Sequence, residues 1–104
     1  LTHMHADHTA GLPALSPDCS VYYGKKENSF YYRRLTTGNH LKGKKNVYLI
    51  DFDEAVSIAP FDRVLDIFGD GTLWAISTPG HTRDHIAYLI NLTLSPILIT
   101  ARML

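Results

Sequence analysis

Residues 1–11 read LTHMHADHTAG, and His3, His5, Asp7 and His8 crowd four metal-ligating side chains into six positions. Along an extended segment, side chains at i and i+2 leave the backbone on the same side, so His3 and His5 can converge on one ion. Where the strand gives way to a helix the backbone turns, and Asp7 and His8 reach a second point close by. The spacing suits two neighbouring metals. The competing reading is an exposed polar loop.

A second cluster lies downstream in STPGHTRDH, residues 77–85. Pro79-Gly80 predicts a sharp turn after a strand ending near Ser77, which aims His81 from a loop at a strand end. Taken alone, a histidine after Pro-Gly is a turn residue. Paired with the first cluster it supplies a third imidazole. Three neutral imidazoles with an open fourth position are the ligand set with which zinc lowers the pKa of water to about 7. That is hydrolytic machinery.

With both stretches in view, THMHADHTAG and TPGHT resemble the metallo-β-lactamase superfamily, in its H-x-H-x-D-H branch of lactonase-like and glyoxalase II-like hydrolases. GDGTLWAISTPGHT, a hairpin leading into His81, resembles the family as well. The resemblance implies an α+β fold, a partial αββα sandwich. It implies His3, His5 and His81 as ligands of one metal and Asp7 and His8 as ligands of the other. Asp7 would also be the catalytic residue, orienting or deprotonating the water that attacks a carbonyl or phosphorus centre.

The chain departs from the family after PILIT, residues 96–100, where the family has Gly-Asp and this sequence reads Ala101-Arg102. A cationic Arg cannot bridge two cations. The sequence diverges there, or the chain was cut or altered, or the second site is impaired. Leu1-Thr2 reads as the tail of a strand that begins elsewhere, and the family's last histidine has no room to occur. Residues 1–104 are therefore expected to form one partial domain that lacks the N-terminal strands and the C-terminal part.

Bulk composition constrains function weakly. Ten Lys plus Arg balance ten Asp plus Glu, so no long-range field attracts nucleic acid or an acidic membrane surface. The lone cysteine, Cys19, has no internal disulfide partner, which fits a reducing compartment and makes the cytoplasm the default location. No apolar run is long enough for a membrane helix, and the first residues lack signal-peptide character.

Along the chain, TAGLPALSPD (residues 9–18) predicts a short helix broken by Pro13 and Pro17. CSVYYG predicts a strand closing on Gly24, and KKENSFYYRRL (25–35) an amphipathic helix with Phe30, Tyr31 and Leu35 inward. Residues 36–46 form an expected exposed loop, a lid or an inert insertion. NVYLIDF and AVSIA predict strands. Asp70-Gly71, between two β-prone runs, predicts a tight hairpin turn. HIAYLINL and PILIT are nearly continuous apolar runs, expected of strands covered on both faces. The sum is a strand-rich second half packed by at least two helices.

Other polar residues have quieter readings. His85 is expected to support or pack beside the site rather than ligate. His40 reads as solvated, Cys19 as a small buried residue, and Arg33-Arg34 with Lys42, Lys44 and Lys45 as a solvated face rather than an anion site. The leading expectation is a zinc-dependent hydrolase of a small-molecule ester, thioester or lactone, with two zinc ions in the complete domain. Iron or manganese would suit a mixed His and Asp site too. The rivals are a catalytically silent metal-binding domain, motivated by Ala101-Arg102, and a nuclease of the same fold, which neutral net charge disfavours. Nothing in the sequence speaks to oligomeric state.

Overall fold

β-branched and aromatic residues set the strands, which form two sheets in the computed structural model; it describes residues 1–27, 40–91 and 96–99. The short helix α1 spans Ala6–Thr9. Strands β1 (Ser20–Gly24) and β2 (Asn46–Ile50) pair in parallel, Ser20 opposite Asn46 through Gly24 opposite Ile50. A five-stranded antiparallel sheet follows in sequence order: β3 (Val56–Ile58), β4 (Phe61–Asp66), β5 (Leu73–Ser77), β6 (Ile86–Asn91) and β7 (Pro96–Ile99).

Alternation along the strands divides the core. Leu65, Ala75, Ile86 and Tyr88 meet Tyr22 of β1 and Ile50 of β2 on one face of the larger sheet, while Val64, Ile76, Ala87, Trp74 and Leu89 cluster on the other. The expectation of apolar strands covered on both faces holds only for the start of β6, where Ile86 and Ala87 are buried on opposite sides while Tyr88, Leu89 and Ile90 are only partly covered. On its far side β1 buries Val21 and Tyr23 against Met4 and Leu12. That cluster fixes the backbone between His3 and His5.

The opening residues tie the two sheets together. The Leu1 nitrogen donates to the Tyr22 carbonyl at 2.7 Å, the Ile86 amide donates to the Thr2 carbonyl at 2.8 Å, and the Tyr88 hydroxyl donates to the Leu1 carbonyl at 2.6 Å. His3 is thereby delivered beside the start of β6.

Several local expectations need correction. The predicted helix over residues 9–18 contracts to one 3-10 turn, Leu12–Ala14, with Pro13 in its first turn. Among the described residues α1 is the only α-helix. Lys25–Glu27 is a 3-10 turn, and the rest of the expected amphipathic helix, Phe30, Tyr31 and Leu35 included, lies outside the described residues, as do Arg33-Arg34 and Ala101-Arg102.

The hairpin β4–β5 forms, but not through a two-residue turn at Asp70-Gly71. Its loop runs over residues 67–72, with left-handed Gly69 (φ 74°) and Gly71 (φ 77°). The Asp66 carboxylate organises it by accepting the Gly69 and Gly71 amides at 3.0 and 2.8 Å. β3 sits at the sheet edge with Val56 and Ile58 exposed, so its alternation marks no buried face. No helix among the described residues is long and apolar enough to cross a membrane.

Candidate metal centre

His5 caps the N-terminus of α1 in an extended conformation (φ −65°, ψ 147°), so the backbone turns helical only after it. This is the geometry the i, i+2 argument requires: His3 and His5 point the same way and the helix carries Asp7 and His8 onward. His81 arrives from the opposite direction, on the loop between β5 and β6. That loop is held by the Thr78 amide donating to the His85 carbonyl (2.9 Å) and the Gly80 amide to the Thr82 carbonyl (3.0 Å). Gly80 adopts φ 149°, which side chains rarely tolerate, so the turn that aims His81 needs glycine.

Three imidazoles meet there. Ring centroids of His3, His5 and His81 lie 4.9 Å (His3–His5), 4.8 Å (His3–His81) and 4.8 Å (His5–His81) apart, with planes nearly perpendicular in each pair. One ligand atom from each falls within 4.8 Å of the others, and His5 Nδ1 is 3.1 Å from His81 Nε2. His3 is buried, His5 half-buried and His81 exposed, so the triangle has a closed floor and a mouth open to solvent.

His3 is held neutral with one ring nitrogen uncommitted. Its Nδ1 lies 3.0 Å from the Thr2 hydroxyl, while its Nε2 is buried with no hydrogen-bond partner. If Nδ1–H donates to Thr2 Oγ1, Nε2 keeps its lone pair for a ligand. Burial, reinforced by the neighbouring imidazoles of His8, His5, His85 and His81, pushes His3 down to about 4. It is neutral at pH 7, the state that binds metal. A buried, unpaired nitrogen costs about 1–3 kcal/mol, and a metal ion among the three rings would satisfy it. The residues fit such an ion.

Asp7 and His8 stand beside the triangle rather than in it. His8 packs its ring 4.0 Å from that of His3, and its Nε2 is 3.6 Å from Asp7 Oδ2; Asp7 is exposed. His85 is buried, with Nδ1 2.9 Å from the Thr78 hydroxyl and its ring packed 5.0 Å from that of His3.

Three quieter readings fare unevenly. His40 is half-buried and lies 2.7 Å from Thr9 Oγ1 at the end of α1, so the expectation of a solvated side chain is corrected. Cys19 is only partly buried, its Sγ donating weakly to the Ser20 carbonyl. Lys44 donates to the Leu15 carbonyl and Lys45 pairs with Asp18, both local surface contacts.

Two buried carboxyls escaped the sequence reading. Glu27 is fully buried; its Oε1 accepts the Met4 amide at 3.3 Å and its Oε2 has no partner. Asp84, also buried, accepts the Lys26 amide at 3.0 Å, and its burial raises its pKa. Flanked by lysines in one case and by Arg83 in the other, both look like surface residues in the sequence.

Known proteins extend the comparison. A gamma-lactamase, MBL2, of Gibberella moniliformis is 32% identical over 104 residues, covering 91% of this chain and 43% of the relative. An N-acyl homoserine lactonase, AttM, of Agrobacterium fabrum is 31% identical over 95% of this chain and 38% of its own length. A hydroxyacylglutathione hydrolase of a Shewanella species is 29% identical over 88% of this chain and 30% of its own length. The chain thus spans about two fifths of the length of the first two. No family model matches the chain. No solved structure matches it significantly.

Proposed function

The chain belongs to the metallo-β-lactamase superfamily, and from that premise we propose that it carries the metal-ligating part of a zinc-dependent hydrolase. Its substrate class is a small-molecule ester, thioester or lactone, and its frame is a partial αββα sandwich. The observation that carries the reading is the convergence of His3, His5 and His81, whose ligand atoms lie within 4.8 Å of one another, together with a buried His3 Nε2 that has no hydrogen-bond partner.

Those three imidazoles would hold the first ion, and Asp7 with His8 a second. Neutral nitrogen donors suit zinc, while the Asp7 oxygen keeps iron and manganese eligible. When bound, the metal supplies a Lewis acid for the carbonyl and makes water acidic enough to ionise near neutral pH. The residues supply the rest. Thr2 fixes the His3 ring, and the solvent-facing side at His81 admits substrate. On this reading the exposed Asp7, 3.6 Å from His8 Nε2, would accept the proton of the attacking water at its carboxylate. The relatives' names, which speak of a lactam, a lactone and an acylglutathione, support a small carbonyl substrate.

A metal-binding domain without turnover is the second reading, favoured by Ala101-Arg102. Metal-free protein reloaded with Zn²⁺ and assayed on lactones and thioesters separates them. Hydrolysis that returns with zinc and disappears in His5→Ala supports the enzyme. Tight zinc binding without turnover supports the silent domain, and no binding rejects both.

A further inference from the structure

The two ligand-bearing segments are 76 residues apart in sequence, yet one short turn touches both. The turn Lys25–Glu27 follows β1. On one side its Lys26 amide donates to Asp84, three positions beyond His81. On the other, the Glu27 side chain receives the amide of Met4, the residue between His3 and His5. Both carboxyls are buried, where a carboxyl is costly unless it is hydrogen-bonded.

Glycine at the end of β1 permits this approach. A Cβ on Gly24 would stand 2.5 Å from Asp84 Oδ2 and 2.8 Å from the Asp84 carbonyl oxygen, closer than packed atoms tolerate. The β1 backbone is therefore pressed against the loop that carries His81. The bond between Ile86 and Thr2 ties the start of β6 to the opening segment; the turn adds contacts at the ligand-bearing ends.

We propose that the Lys25–Glu27 turn is a clasp that registers the His81 loop against the His3–His5 segment, with Glu27 and Asp84 as positioning residues of the metal site. This rests on the metal-site reading above. Glu27 acts through the Met4 amide and Asp84 through the Lys26 amide. A three-imidazole site tolerates only small errors in ligand placement, and loss of outer support typically weakens metal binding about 10–100-fold.

Co²⁺ titration of the full chain, read by its ligand-field absorption, tests the clasp. Glu27→Met keeps the volume and removes the acceptor; Glu27→Gln keeps both the shape and an acceptor oxygen. The expected result is Co²⁺ affinity about 10–100-fold weaker for E27M, with unchanged circular dichroism and altered absorption bands, and near-native affinity and bands for E27Q. A folded E27M that binds and absorbs like the native chain overturns the proposal, as does an E27Q that loses as much as E27M. If E27M does not fold, Gly24→Ala decides, because it displaces Asp84 without touching Glu27: weakened binding supports the clasp and native binding overturns it. A native chain without any ligand-field band contradicts the metal site itself, a failure separate from that of the clasp.

Discussion

His5 Nδ1 and His81 Nε2 lie 3.1 Å apart although the residues are 76 positions distant in the chain. Two imidazole nitrogens that close either share a proton or share a cation. His3, whose Nε2 is buried and without a hydrogen-bond partner, offers a ligand atom within 4.8 Å of theirs, so one cation can engage all three rings. His5→Ala is expected to weaken Zn²⁺ binding by more than the roughly 10–100-fold typical of losing a supporting contact, measured by competition with a chromogenic chelator.

The metal-free chain should lose stability on acidification. The His3 pKa is about 4 in the fold against an ordinary 6.5, so between those values the unfolded chain binds more protons. Stability from this group is present above pH 6.5 and is lost as pH falls towards 4. Urea midpoints across that window should decline for the native chain and decline less for His3→Gln.

Thr2→Val removes the oxygen facing His3 Nδ1 while keeping the side-chain shape. The His3 ring loses its orienting partner, and Zn²⁺ affinity is expected to fall about 10–100-fold with the fold retained. Calorimetric titration beside circular dichroism checks both halves of the statement.

Gly80→Ala places a Cβ on a backbone at φ 149°. The substitution should cost on the order of 1–3 kcal/mol in thermal or urea unfolding, and the relaxing loop should carry His81 away and weaken metal binding.

Asp66→Ala is the contrasting case. Its carboxylate holds the Gly69 and Gly71 amides in the β4–β5 loop, away from the imidazoles. Loss of those bonds should destabilise the chain by about 1–3 kcal/mol while leaving Zn²⁺ affinity unchanged in the same calorimetric titration.

These variants also trace what was legible in the sequence. The alignment of His3 with His5 follows from strand period over three residues, and His81 was marked by Pro79-Gly80, so the three imidazoles were recognisable before any fold was known. The strands at residues 20–24, 46–50 and 86–91 were legible from their β-branched and aromatic content. Glu27 and Asp84 were not. Their burial depends on amides 23 and 58 positions away, and neither residue type nor local pattern encodes such a contact. The β4–β5 turn misled for a related reason: Asp70-Gly71 is a strong local hairpin signal, but Asp66, four residues earlier, captures the loop amides and sets a longer connection.

The most direct test of the metal centre is X-ray absorption at the zinc edge of the chain loaded with one equivalent of Zn²⁺. Three imidazole nitrogens at about 2.0–2.1 Å, reduced to two in His81→Ala, are the predicted result. A zinc shell without imidazole scattering, or one unchanged by that substitution, would contradict it.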